Sequence, residues 1–191
     1  MALTKLNARS ASALDATVLT GNLPAISGAS LTGTGITSAS QWRLSSAQNG
    51  DLEPISSGWE ENDSTGYTRI GSAMTQSSGV FTFPSTGIWL IIFNASWTTN
   101  SAGESDYNRC NIQVTTNNSS YTDVAETSNY LPGTGGTDEG SAHSIRAMFD
   151  VTDTANCKVR FKSYVQNNSS GLRGTSSQNL TTATFMRIGD T

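Results

Sequence analysis

His143 is the single histidine of the chain, and it stands among groups that do acyl-transfer chemistry elsewhere: Ser141, Ser144, Asp138 and Glu139. A nucleophile, histidine and acid act together when separate rigid elements hold them, and these neighbours lack the strand–turn–helix form of a nucleophile elbow. The preferred reading is a loop histidine beside a strand. The Gly-rich residues 131–140 lack the Lys-Ser/Thr of a phosphate-binding loop, so glycine here means turn freedom. One histidine and two distant cysteines fall short of a four-ligand zinc set. Glu60, Glu61 and Asp63 cluster, as do Glu104 and Asp106, but without the spacing of a calcium loop. They read as solvated loop acids, with calcium as the alternative. No catalytic residue, metal ligand or cofactor is assigned, and a non-enzyme is expected. Glycoside hydrolysis stays open as an alternative, because the separation of two carboxylates is a matter of space and not of sequence.

Cys110 and Cys157 both sit in alternating patterns. Two buried thiols acting as small apolar groups is the preferred reading. A disulfide between neighbouring strands is the alternative.

The residues that position any such groups are short on charge and long on turn formers. Hydrophobic residues make up 35% of the 191 and charged ones 14%, with 18 glycines. That mix favours short strands and turns over long helices. The net charge is −4 with no basic cluster, which argues against nucleic-acid binding. Lys5, Asn7 and Arg9 interrupt what would be the apolar part of a secretory leader, so none is expected.

The densest apolar run is Ile88, Trp89, Leu90, Ile91, Ile92 and Phe93, within residues 79–97. It is far shorter than the roughly 20 residues of a membrane helix, so no membrane insertion is expected. Apolar on both faces, it predicts a central strand covered on both sides. Before it, Phe81 and Phe83 alternate with Thr82, and Pro84 ends that ladder. Further strands are predicted over 68–74, 107–116, 121–126, 144–151, 157–165 and 182–188. Cys110, Ile112 and Val114 share one face against Arg109, Asn111 and Gln113. Val159, Phe161 and Val165 oppose Lys158, Arg160 and Lys162; Ile145, Ala147, Phe149 and Val151 point inward. Residues 51–66, 131–140 and 167–178 read as loops. Roughly eight to ten strands with polar turns mean an all-β sandwich or jelly roll.

Residues 1–40 differ: they hold no aromatic residue, and Leu19-Thr20-Gly21 recurs as Leu31-Thr32-Gly33. Alone they bury little surface, so they are expected to be a tail or to order against copies of themselves or another protein. Residues 23–33, LPAISGASLTG, resemble the short Gly-Leu-Thr repeats of tail fibres and related appendages of tailed bacteriophages. The resemblance implies a virion-docking, intertwining segment carried by Leu3, Leu6, Leu14, Leu19, Leu23, Ile26 and Leu31.

Residues 41–191 resemble the globular head of the C1q/tumour-necrosis-factor superfamily. The signature stands here as Gly79, Phe81, Phe83, Pro84, Gly87, Ile88 and Trp89, with Phe185 and Ile188 in a matching last strand. Ala183 departs from that strand's usual Ser or Thr, and no collagen-like stalk precedes the head. The resemblance implies a jelly roll assembled as a compact homotrimer. Some of Trp42, Trp59, Trp89 and Trp97 are then candidates for subunit contacts, where Trp is enriched; ordinary core is the alternative.

Together these readings lead to an expected structural virion protein of a tailed bacteriophage: a fibre or decoration with residues 1–40 docked on other virion proteins and an exposed knob. Adhesion to host-surface glycans is a further expectation, with loops 100–107, 131–143 and 167–178 as candidate contacts. A capsid-cementing protein with no receptor role, a tail-associated glycan hydrolase and a secreted lectin-like module are the alternatives.

Overall fold

The computed structural model describes residues 35–99, 105–131 and 140–191. Among them there is no helix. The strands are β1 (Ala39–Leu44), β2 (Ser46–Asn49), β3 (Trp59–Glu61), β4 (Thr75–Ser77), β5 (Val80–Thr82), β6 (Gly87–Thr99), β7 (Ser105–Thr115), β8 (Thr122–Leu131), β9 (Gly140–Val151), β10 (Lys158–Val165), β11 (Ser170–Thr175) and β12 (Thr182–Gly189). They form two antiparallel sheets. The first runs β2-β11-β6-β12-β1-β3, with β9 on the other edge of β6; the second runs β4-β5-β10-β7-β8. β6 is long enough to pair with β9 along one edge and with both β12 and β11 along the other. This is an all-β jelly roll, as the strand pattern predicts.

The core lies between the sheets and is aromatic. β6 contributes Trp89, Ile91, Phe93, Ala95 and Trp97, and the second sheet contributes Phe81, Cys110, Ile112, Val114, Val159 and Phe161. Phe93 stacks on Phe161 across the gap at 4.5 Å. The alternation predicted for β7, β9 and β10 therefore has the expected faces inward.

The signature residues are fold determinants. Phe81, Phe83, Trp89 and Phe185 are all buried, with Phe81 5.1 Å from Phe185 and Phe83 5.3 Å from Trp89. Ser78 and Gly79 form the two-residue turn between β4 and β5, and both have positive φ, as a type I′ hairpin turn requires. A Cβ on Gly79 would also collide with the Ile55 carbonyl. Gly79→Ala is expected to cost about 2–4 kcal/mol, from left-handed strain plus the backbone shift; urea unfolding measures it, and a loss below about 1 kcal/mol contradicts the assignment.

Three expectations are corrected, and three of the four tryptophans take the core reading. Residues 68–74 form a loop and not a strand, touching β1 only through the Ala39–Ile70 bridge. Gly71 has φ +59° and packs against the Thr37 carbonyl, which an extended ladder does not permit. The loops read over 51–66 and 167–178 contain β3 and β11, short polar strands whose partners are distant in sequence. Trp59, Trp89 and Trp97 are core residues, and Trp42 packs edge-on against Phe81 at 5.5 Å. Finally, β6 is covered on one face only. Its residues alternate between buried and half-buried, and Ile88, Leu90 and Ile92 lie on the outer face, where no described strand covers them.

Candidate functional site

The described residues do not bring Ser144 to His143. His143 lies in β9 and not in a loop; alternation along the strand sets Ser144 on the opposite face. The His143 Nδ1 instead meets the Thr127 hydroxyl at 3.4 Å. Asp138 and Glu139 lie outside the described residues, as do Glu104 and the docking positions Leu3, Leu6, Leu14, Leu19, Leu23, Ile26 and Leu31.

The acids of the β3 region are not merely solvated. Glu60 and Asp63 pair with the fully buried Arg43, and Glu61 pairs with Arg69 at 2.9 Å. Two arginines occupy these carboxylates, which leaves them poor cation ligands. Among the described residues no three of His, Cys, Asp and Glu come together as a metal set.

Cys110 and Cys157 are free and buried. β7 and β10 pair with Cys110 opposite Ser163 and Lys158 opposite Thr115. Cys157, one residue before Lys158, therefore lies six residue steps along the ladder from Cys110, roughly 20 Å, which no disulfide spans. Burial, with the Glu126 charge adding, pushes the Cys110 thiol up to about 12, so it stays protonated and unreactive.

Two surfaces stand out among the described residues. The first is apolar and crosses the outer face of the first sheet. Directly paired residues of an antiparallel sheet point to the same face, and the register aligns Ile70 with Ala39, Ala39 with Met186, Met186 with Leu90, and Leu90 with Met148. Met148 is 72% exposed, and Ile70 and Ile188 are exposed as well.

The second is a cleft of about 300 Å³ on the outer face of the second sheet. Three cross-strand rows build it: Tyr164–Arg109–Ser128, Lys162–Asn111–Glu126 and Arg160–Gln113–Asp123. The central strand, β7, thus presents amides between cations on β10 and carboxylates on β8. A register shift between Ile112 and Gln113 marks a bulge in β8, a device that re-aims side chains. Asp123 consequently accepts from both amides: Asn111 Nδ2 at 3.1 Å and Gln113 Nε2 at 2.7 Å. Asn111 Nδ2 also donates to Glu126 at 2.9 Å, and Arg109 pairs with the same carboxylate at 3.2 Å. At the end of the cleft Arg109 lies 4.4 Å from the Tyr107 ring centre, and Tyr107 meets Tyr164 edge-on at 5.7 Å. Beside it Glu53 bonds Lys162 at 2.8 Å and accepts from Gln113 at 2.9 Å, and these two partners hold its carboxyl below the usual range.

The faces of β7 and β10 are visible in the sequence, but not that they lie side by side. Asp123, Glu126, Tyr107 and Tyr164 carry no local motif. The candidate contact stretches 100–107 and 131–143 fall partly outside the described residues, and half of 167–178 is strand β11.

No family model matches the chain, and no curated protein matches its sequence. Solved structures do match. Murine APRIL at pH 5.0 aligns with a TM-score of 0.56 at 9% identity, over 79% of this chain and 98% of that one. The TNF protein Eiger from S. frugiperda aligns with a TM-score of 0.52 at 10% identity, over 80% and 93%. Likeness at such identity is likeness of backbone, and it extends over nearly the whole of both neighbours. The described head has the jelly-roll fold of these TNF proteins.

Proposed function

We propose that this chain is a non-enzymatic structural protein of a tailed-bacteriophage particle, a homotrimer with residues 1–40 docked on other virion proteins and the jelly-roll head exposed. The observation that carries the assembly is the apolar row from Ile70 to Met148. An apolar stripe crossing four strands from the loop at Ile70, left open on a single head, marks a protein contact, and it makes sense of an apolar run on both faces of β6. A second and third copy of the chain are its proposed occupants. The virion setting is supported by the fibre-like segment 23–33. Three copies of every surface cleft would then add weak contacts to host-surface glycans by multivalency.

Light scattering tests the assembly. The wild-type chain is expected at three times its 20.1 kDa mass. Leu90→Asp places a charge in the centre of the row and is expected to yield folded monomers, with the β-sheet circular dichroism kept. A wild-type monomer overturns the trimer. For docking, a chain lacking residues 1–34, which keeps β1 and the rest of the head, is expected to be missing from purified particles; its full incorporation overturns that role.

A further inference from the structure

We propose that the cleft over β7, β8 and β10 is a binding site for neutral saccharides, with Tyr164 as the stacking platform and Asn111 as the hydrogen-bonding floor. The inference rests on the glycan-adhesion reading above and not on the trimer.

Asn111 is the informative residue. It is 1% exposed, yet its Oδ1 has no hydrogen-bond partner. The amide cannot be turned to repair this. Its Nδ2 faces the carboxylates of Asp123 and Glu126, which accept only, so the oxygen must point elsewhere. A buried acceptor without a donor is costly, and a ligand hydroxyl is the donor that completes it. The Nε of Arg109, on the same face two residues earlier, is also buried and without an acceptor. An unmet acceptor and an unmet donor on one face match the hydroxyls of a polyol, each of which can donate to the first or accept from the second.

The charges select the class. Arg109 is paired with Glu126 and Lys162 with Glu53, so the cleft offers an anion no free field. Tyr164 is 39% exposed at the rim, next to Tyr107. An exposed aromatic face beside oriented donors and acceptors suits the C–H face and equatorial hydroxyls of a sugar ring. The Asn111 oxygen is shut from solvent, so a ligand hydroxyl reaches it once the neighbouring Arg109 side chain swings aside, and Arg109 then donates to the ligand from its new position. Arg109 now lies over two tyrosines, 4.4 Å from one ring centre and 5.8 Å from the other, the place a sugar ring would take.

The test is titration of the full chain, by saturation-transfer NMR and calorimetry, with chitotriose, maltotriose, mannotriose and lactose, and with sialyllactose as the anionic counterpart. Saturable binding of at least one neutral saccharide is expected. Tyr164→Ala, a partly exposed position whose folding is checked by thermal melting, is expected to weaken it about tenfold or more; Asn111→Ala is expected to do the same if it folds. Neutral binding that Tyr164→Ala leaves unchanged overturns the cleft while the adhesion reading stands. Binding of sialyllactose alone overturns the neutral class. Failure of every saccharide to bind overturns both the cleft and the adhesion reading, and leaves the trimer to its own test.

Discussion

Phe81→Ala is expected to remove about 3–5 kcal/mol of stability, the range for deleting a large core aromatic. Phe81 is fully buried, and its ring meets four others: Trp42 at 5.5 Å, Trp59 at 5.3 Å, Phe161 at 5.6 Å and Phe185 at 5.1 Å. These neighbours come from both sheets, so Phe81 is a pin through the sandwich. It sits on the three-residue strand β5, held between β4 and β10. Flat rings in fixed rotamers close poorly over a hole, so the cavity term is expected in full. A domain of this size loses roughly 2–4 °C of melting temperature per kcal/mol, which makes the shift about 6–20 °C. Urea unfolding measures the energy, with an unchanged slope separating loss of packing from loss of compactness. Phe81→Leu keeps most of the volume and is expected to cost clearly less. A loss under about 1.5 kcal/mol for the alanine variant would mean that β5 is not locked into the core.

Arg43→Met is expected to cost about 2–4 kcal/mol, through a different mechanism. Arg43 lies in β1, between Glu60 of β3 and Thr182 of β12, with its side chain fully buried. Every N–H of its guanidinium finds an acceptor. Nε donates to Glu60 at 2.7 Å; one terminal nitrogen donates to Asn62 at 3.1 Å and Ser64 at 2.7 Å; the other donates to Asp63 and the Ser176 carbonyl. One side chain thus ties the segment after β3 and the segment after β11 to the edge of the first sheet. The partners differ in what they lose. The Asp63 side chain is 79% exposed and regains water at once, whereas Glu60 is 32% exposed and Asn62 is buried. A double-mutant cycle is therefore expected to find a larger coupling for Arg43 with Glu60 than with Asp63. Arg43→Lys is not a conservative replacement, since three donors on a point charge cannot serve a five-donor fork. Faster hydrogen exchange of residues 60–64 in the lysine variant is the local readout. Equal couplings for the two acids would contradict the burial argument.

Local chemistry was enough to reveal the fold class. Alternation marked the inward faces of β7, β9 and β10, because a strand with one buried face writes a period of two into its own residues. The run at Ile88–Phe93 and the spacing of Gly79, Phe81, Phe83, Pro84, Gly87 and Trp89 located the centre of the sandwich, because a tight turn, a ladder stop and large rings are needed at fixed offsets. Where the partner is distant, that legibility ends. β2, β3 and β11 are short and polar, and only pairing with strands far along the chain makes them strands. The stretch 68–74 has strand-like residues, yet the Gly71 backbone and its contact with Thr37 bend it into a loop. Glu60 and Asp63 looked like free loop acids until Arg43, 17 and 20 residues earlier, was found beneath them. The polar cleft depends entirely on register. Asn111 becomes a buried floor because Lys162 and Glu126 lie on either side of it, and a shift of one residue in either ladder would turn those side chains to the other face. Composition and period are properties of a segment and can be read along the chain, whereas a site is made of neighbours, and only the tertiary pairing of strands chooses those.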